Sequence, residues 1–184
     1  MRLRKDSGPL ARPRERADFA SRNPRRRLLL LLFALATPLL APAHVIANPY
    51  NVSEVPKLIK EREARKLHGA GVHSTDDLLH RAAGPAERKQ LAKETGLPGA
   101  RLDQLARCAD LLRLSDIGPE FVILLEAAGI KSVPDLAAMD PRALTKKMAA
   151  LNKSRRIANP TPGEAQVRGW VSQASKLPAV LAKR

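Results

Sequence analysis

Apolar residues recur along this chain with the spacing of one face of an α-helix. One set, spaced by 3, 1, 3 and 3 residues, consists of Leu102, Leu105, Ala106, Ala109 and Leu112. A second set with the same spacings consists of Val167, Trp170, Val171, Ala174 and Leu177. Such spacing places every member of a set on one side of a helix and is incompatible with a strand. Because no stretch alternates between apolar and polar residues, we predict an all-α fold.

A longer pattern shows that the chain repeats itself. In residues 67–78 and 125–136, leucine, alanine, glycine, an aliphatic residue, serine, aspartate and leucine recur at a constant offset of 58. This recurrence predicts two tandem helical repeats, 58–113 and 114–178. Since about sixty residues bury too little apolar surface to fold alone, we expect both repeats to pack as one domain. The short segments left over are a lead-in, 48–57, and a tail, 179–184.

Residues that favour helix starts and helix ends stand where these repeats need them. A hydroxyl followed three positions later by a carboxylate favours a helix N-terminus, and the pairs of this kind are Ser74 with Asp77, Ser132 with Asp135, and Thr161 with Glu164. Prolines suited to a first helical position are Pro85, Pro141 and Pro162. Glycines suited to helix ends are Gly71, Gly96 and Gly129. Together these signals predict about eight helices joined by short turns.

The first 47 residues have the layout of a secretory signal peptide. Residues 1–27 carry ten Lys/Arg against three Asp/Glu and end in three arginines, directly before the strongly apolar run 28–40. Small or aliphatic residues then allow cleavage after Ala47 or after Ala43. We expect cleavage after Ala47 and an exported protein, periplasmic or extracellular. The alternative is a retained membrane anchor over residues 28–47, which are uncharged and long enough to span a bilayer.

Removal of this segment changes the charge of the protein. The 184-residue chain has a formal net charge of +15, of which residues 1–47 contribute +7 and the remainder +8. A modest positive excess is compatible with an anionic partner and equally with an ordinary soluble surface.

Cys108 is the only cysteine, so the chain can form no internal disulfide. We expect a buried thiol on the apolar side of its helix, the alternatives being an intermolecular bridge or a reactive thiol.

One turn resembles a known binding motif. Residues 114–120 read Leu-Ser-Asp-Ile-Gly-Pro-Glu and precede an apolar helix, as in the second hairpin of a helix-hairpin-helix motif, where backbone N–H groups hold a nucleic-acid phosphate. Gly118 is the candidate anion-binding position. Asp116 replaces the motif's first glycine, and its carboxylate is expected to repel a phosphate or to cap the helix itself. Further candidate residues lie between Asp140 and Glu164, where no acid occurs, and are Arg142, Lys146, Lys147, Lys153, Arg155 and Arg156.

The chain as a whole resembles one family. Its aliphatic-glycine turn and Ala-Gly-Ile/Val phrases are followed by Ala109-Asp110-Leu111, Asn152, a proline before the last helix, and Trp170. This order resembles the helix-hairpin-helix family catalogued as domain of unknown function 4332, over about residues 58–178. The resemblance implies tandem helix-hairpin-helix units and no assigned activity. The first repeat has Lys60 where the second has Gly118, which weakens the implied backbone-binding role there.

The sequence favours a binding or scaffold protein over an enzyme. His68, His73 and His80 stand near Asp76 and Asp77, but their spacings do not converge on one point, so we expect exposed histidines and no metal. We find no catalytic triad, phosphate loop or spaced cysteine set, and we expect no cofactor. The expected partner is a protein or an envelope component, with DNA-backbone binding outside the cytoplasm as the alternative. A membrane is a partner only if residues 28–47 are retained.

Overall fold

A computed structural model describes residues 49–182, which belong to one compact unit and fold into eight α-helices. The helices are α1 Glu61–Gly69, α2 Thr75–Arg81, α3 Pro85–Thr95, α4 Gly99–Leu111, α5 Pro119–Ala127, α6 Val133–Ala137, α7 Pro141–Arg155 and α8 Glu164–Ala174. Within this range there is no strand, only an isolated bridge between Asn51 and Ser74. The predicted all-α class and helix number are therefore confirmed. The predicted signal segment lies outside the described residues, and no described helix is long and apolar enough to cross a bilayer.

Most of the predicted helix starts are confirmed. Ser74 Oγ accepts a hydrogen bond from the Asp77 N–H at 3.0 Å, and the Asp77 carboxylate accepts one from the Ser74 N–H at 2.9 Å. Ser132 Oγ likewise accepts from the Asp135 N–H at 3.2 Å. Prolines occupy the first positions of α3, α5 and α7, where a missing N–H leaves no bond unmade.

The predicted start of the last helix is wrong. Helix α8 begins at Glu164 with Gly163 as its N-cap, so Thr161 and Pro162 lie in the preceding loop. The Thr161 hydroxyl instead accepts a hydrogen bond from Asn152 Nδ2 of α7 at 2.6 Å. The hydroxyl is engaged in holding the loop against α7, and helix α8 starts two residues later than predicted.

The three predicted glycine helix ends are confirmed. Gly71, Gly96 and Gly129 have φ angles of 75°, 61° and 89°, the left-handed region that glycine adopts without a side-chain clash. After Gly71, the Val72 N–H bonds back to the Leu67 carbonyl at 2.9 Å. The equivalent bond after Gly129, 58 residues later, joins Ile130 to Leu125 at the same distance.

The main helix packings lie within each half of the chain. Helices α1, α2 and α4 pack on α3, and α2 also packs on α4; in the second half, α5 and α8 pack on α7, and α6 packs on α8. Leu105 and Trp170, which the repeat pattern pairs, are each 1% exposed, so both are core anchors as predicted. The Phe121 ring packs against Trp170 with centroids 5.0 Å apart.

Cys108 is also buried as predicted. Its side chain lies on the inner face of α4 and is 3% exposed. Burial, followed by the nearby Glu126 carboxylate, raises the pKa of the thiol to about 12. The folded protein therefore holds Cys108 as a neutral thiol at physiological pH, a form that is a poor nucleophile.

Candidate functional site

The cations predicted as binding residues lie on α7 and at its end. Leu144 and Met148 bury one face of this helix, and the Asp140 carboxylate caps its start by accepting from the Ala143 N–H at 2.7 Å. At about 100° per residue, Arg142, Lys146 and Lys153 fall within a sector of about 40°. All of the predicted cations of this segment are exposed: Arg142, Lys146, Lys147, Lys153, Arg155 and Arg156. The cations of the acid-free interval therefore lie on the surface of the protein.

These cations have few acidic neighbours. Arg142 Nε lies 3.7 Å from Glu164 Oε2, and the same carboxylate pairs with Arg168 at 2.7 Å. Within the described part of the chain, no carboxylate lies within 4 Å of the other cations, which are Lys146, Lys147, Lys153, Arg155 and Arg156. Uncompensated charges on one surface attract anions from solution and steer them toward it. We call these five residues, together with Arg142, the α7 cationic surface.

The C-terminal end of the α7 cationic surface is fixed by one buried amide. Asn152 Nδ2 donates to the Ala158 carbonyl at 2.8 Å, and its Oδ1 accepts from the N–H groups of Ile157 and Ala158 at 2.8 and 2.9 Å. Arg156 closes the helix at φ 52°, and its N–H donates to the Asn152 carbonyl. The loop that carries Arg155 and Arg156 is therefore held in place by Asn152, a role the sequence pattern did not reveal.

Gly118 lies on a different helix, at the start of α5. It is the N-cap of α5, with φ −91° and ψ 176°, and no side chain caps this helix. A Cβ at this position would have only Glu120 Oε2 at 3.8 Å and the Tyr50 hydroxyl at 4.0 Å as neighbours, and no cation within 4 Å. Asp116 takes a left-handed conformation, φ 64°, and does not supply the predicted cap. The immediate neighbours of Gly118 among the described residues are therefore not the cations of α7.

The Glu120 carboxylate lies beside Gly118 at the start of α5. Glu120 Oε1 accepts a hydrogen bond from Lys57 Nζ at 2.8 Å. This bond, and a second one from the residue's own backbone N–H, lower the pKa of Glu120. At neutral pH Glu120 is therefore an ionised carboxylate at the start of α5, paired with the Lys57 ammonium.

The histidine cluster does not form a metal centre within residues 49–182. His68 and His73 stack with ring centroids 5.0 Å apart, and His80 Nε2 lies 3.6 Å from Asp76 Oδ1. The Asp77 carboxylate is used in capping α2. Among the described residues, no group of three His, Cys, Asp or Glu side chains is placed to hold a metal ion.

Sequence reasoning missed a buried ion pair that ties three segments together. Arg113 and Asp110 pair at 2.8 Å, and both side chains are 2% exposed. Asp110 also accepts from the Val133 N–H at the start of α6, at 3.1 Å, and Arg113 donates to the Pro178 carbonyl at 3.1 Å. The only local signal was an acid and a base three residues apart inside an apolar stretch. These charged groups are engaged in joining α4, α6 and the C-terminal segment.

Comparison with known proteins gives a family. No curated protein and no solved structure matches the chain. The model of one family matches residues 57–177, which include all eight helices of the described region. The protein therefore belongs to the family described as domain of unknown function (DUF4332), as the resemblance in sequence predicted.

Proposed function

We propose that the protein is an exported, non-enzymatic binding or scaffold module built from two tandem helix-hairpin-helix-like repeats. Support for the repeats comes from positions that play the same part 58 residues apart. Lys60 and Gly118 are both helix N-caps, and Ser74 and Ser132 both cap the helix that follows the glycine turn. We take the second repeat as the one that meets the partner.

The observation that carries this proposal is the uneven use of charge. Three arginines that are buried or half-buried pair with acids: Arg113 with Asp110, Arg88 with Asp103, and Arg101 with Glu63. The cations of the α7 cationic surface, Arg142 apart, have no such partner among the described residues. Groups engaged in structure are not available for chemistry, whereas exposed unpaired cations are available for a partner. This contrast supports a contact surface on α7.

Export is tested on the protein from its native host. Sequencing of its N-terminus should begin near Asn48, because the basic and apolar segment before it has the form of a cleaved signal. Recovery of an intact Met1 from a soluble cytoplasmic fraction would contradict export. Recovery of Met1 from a membrane fraction would favour the retained anchor over residues 28–47.

The contact surface is tested by capture from envelope extract. The purified protein should retain a reproducible set of partners, and the variant Lys146→Gln/Lys147→Gln/Lys153→Gln should lose them. A matched control, Arg62→Gln/Lys89→Gln/Lys93→Gln, removes the same charge from exposed cations of the first repeat and should retain them. Equal capture by both triple variants would contradict a contact surface on α7.

Binding to the DNA backbone is the second candidate function. It is favoured by the α7 cationic surface and by the left-handed turn at Asp116, and it is opposed by the carboxylates of Asp116 and Glu120 beside the start of α5. If it holds, binding should be independent of sequence and fall with salt by a log–log slope near 0.9 per phosphate neutralised. Lys146→Ala/Lys147→Ala should then lower both affinity and slope, and Asp116→Gly should raise affinity.

We expect the opposite outcome in that experiment. Duplex binding should be weak and lost at physiological salt, without a response to Asp116→Gly. Micromolar or tighter affinity at physiological salt, lost in Gly118→Ala, would overturn this expectation. That variant should fold, since a Cβ at Gly118 meets only ordinary contacts at 3.8 and 4.0 Å.

A further inference from the structure

A cavity of about 660 Å³ lies where the two halves of the chain and the C-terminal segment meet. One wall comes from α3 and α4, a second from the turn before α6 and from α6 itself, and a third from residues 179–182. Its volume is typical of sites that take small organic molecules. It is a different surface from the α7 cationic surface, and none of the α7 cations lines it.

The walls of the cavity are fixed by backbone hydrogen bonds. The Ala182 N–H donates to the Ala83 carbonyl at 3.0 Å, which holds the C-terminal segment against the end of α2. Arg113 holds the same segment through the Pro178 carbonyl. The apolar part of the lining is formed by Pro134, Ala138, Ala179, Val180, Leu181 and Ala182. The cavity therefore offers a preformed apolar chamber.

The acids that line the chamber all have positive or N–H partners. Asp110 is paired with Arg113, which lies outside the lining, and Asp103 with Arg88 at 2.7 Å. The Asp135 carboxylate accepts the Lys131 N–H at 3.0 Å. Each of these carboxylates therefore already has an ion-pair or hydrogen-bond partner within the protein.

The remaining lining cations are unpaired among the described residues. Arg107 makes no hydrogen bond or ion pair there, and its Nε is buried without an acceptor. The Lys131 ammonium also has no acid within 4 Å. An arginine without an acid partner in a cavity wall can donate to an anion bound in that cavity. The chamber thus combines apolar walls with two uncompensated cationic groups.

We propose that this cavity binds a small organic anion with an apolar body, a carboxylic acid of the medium-chain fatty acid type. The aliphatic part lies against Pro134, Val180 and Leu181, and the carboxylate accepts hydrogen bonds from Arg107 and Lys131. A guanidinium is suited to this contact because its donors form a planar fork that matches a carboxylate. This site is independent of the proposed function of α7.

The test is calorimetric titration of the full chain with decanoate below its micellar concentration, with octanoate, dodecanoate and decylammonium in parallel. At least one carboxylate should bind at one site per chain, and decylammonium should not. Arg107→Gln should weaken binding at least tenfold, and Lys131→Gln several-fold. Ala138→Trp, which fills the chamber without changing charge, should abolish binding. The control Lys93→Gln, on the exposed side of α3, should bind as the wild type does.

The variants should still fold, because Arg107 makes no hydrogen bond or ion pair within residues 49–182 that its replacement would remove. Each variant should melt within a few degrees of the wild type. The proposal is overturned if no carboxylate binds the folded wild type, if Arg107→Gln binds unchanged, or if decylammonium binds as well as decanoate. Loss of partner capture by the α7 variants has no bearing on any of these outcomes.

Discussion

The two halves of the molecule carry the same net charge and use it differently. Residues 58–113 hold eleven Lys/Arg and eight Asp/Glu, and residues 114–178 hold nine and six, so each half is +3. In the first half five arginines pair with acids of that half within 4 Å. In the second half only Arg142 and Arg168 do so, and both share Glu164.

Since the two halves have equal net charge but differ in ion pairs, net charge alone does not show which cations are free to contact a partner. Arg101 illustrates internal use: it bonds Glu63 twice at 2.8 Å and the Leu58 carbonyl at 2.6 Å, and so fastens α4 to the start of α1. Lys146 on α7 is exposed and has no comparable contact. Arg88, Arg101 and Arg113 of the first half thus hold the fold together. The cations of α7, Arg142 apart, have no ion pair among the described residues.

The largest expected effect comes from breaking the pair that joins the halves. Asp110→Ala removes the partner of a buried guanidinium and the acceptor of the Val133 N–H, so it should lower the free energy of unfolding by about 3 to 5 kcal/mol. Urea denaturation measures this. Asp110→Ala/Arg113→Met, which removes both charges, should lose less than Asp110→Ala alone. A loss under about 1 kcal/mol in the single variant would show that the pair does not hold the halves together.

Truncation of the matched core anchors compares the halves directly. Leu105→Ala and Trp170→Ala should each lower stability by about 2 to 5 kcal/mol, because each removes a large side chain that is 1% exposed. Thermal and urea melts of both variants give the values. The native tryptophan should also emit as a buried indole. If Trp170→Ala melted like the wild type, the pairing of the two helices as equivalent anchors would be wrong.

Much of the fold could be predicted because its signals are local. Ser74, Ser132 and the glycine turns at Gly71 and Gly129 act on residues within a few positions, and all are confirmed. The failure at Thr161 arose from a partner nine residues away, Asn152, which no capping pattern contains.

The candidate site could be predicted only in part, for the same reason. An interval without acids was enough to indicate the exposed cations of α7. Arg101 pairs with Glu63, 38 positions away in the chain. This pairing depends on tertiary structure and cannot be recognised from the spacing of residues in the sequence. The same holds for the chamber around Arg107, which three separate segments enclose.

Two substitutions with smaller expected effects on stability compare a paired cation with an unpaired one. Arg101→Ala should lower the free energy of unfolding by about 1 to 2 kcal/mol at pH 7, since it leaves a carboxylate and a carbonyl without their donor. Lys146→Ala should change it by less than about 0.5 kcal/mol, as for an exposed residue without contacts. Urea denaturation of the two variants, side by side, measures the contrast. Equal losses would remove the distinction between the two halves.

The same pair predicts a dependence on pH. The Arg101 hydrogen bond lowers the pKa of Glu63, so this carboxylate stabilises the fold above its unfolded-state pKa and loses that contribution as pH falls through the lower folded value. The difference between wild type and Arg101→Ala should therefore shrink in strongly acidic solution. A constant difference down to about pH 2 would show that the ion pair is not its source.

The smallest expected effects are stabilising. Asp116 and Arg156 have φ angles of 64° and 52°, a region that favours glycine, so Asp116→Gly and Arg156→Gly should each raise stability by up to about 1 kcal/mol. Lys153→Gly, inside α7, is the matched control and should lower it by about 1 kcal/mol. Thermal melts distinguish the signs. Destabilisation by both turn variants would mean that the side chains at these positions hold contacts that outweigh the backbone strain.

Site-specific photo-crosslinking in the living host decides whether α7 is the surface that meets a partner. Ala149 lies among the α7 cations and is exposed, and Ala86 is an equally exposed alanine on α3 of the first half. A photoreactive residue at Ala149 should yield a discrete cross-linked product that Lys146→Gln/Lys147→Gln abolishes, and one at Ala86 should yield none. A product at Ala86 alone, or the same product from both positions, would contradict the account.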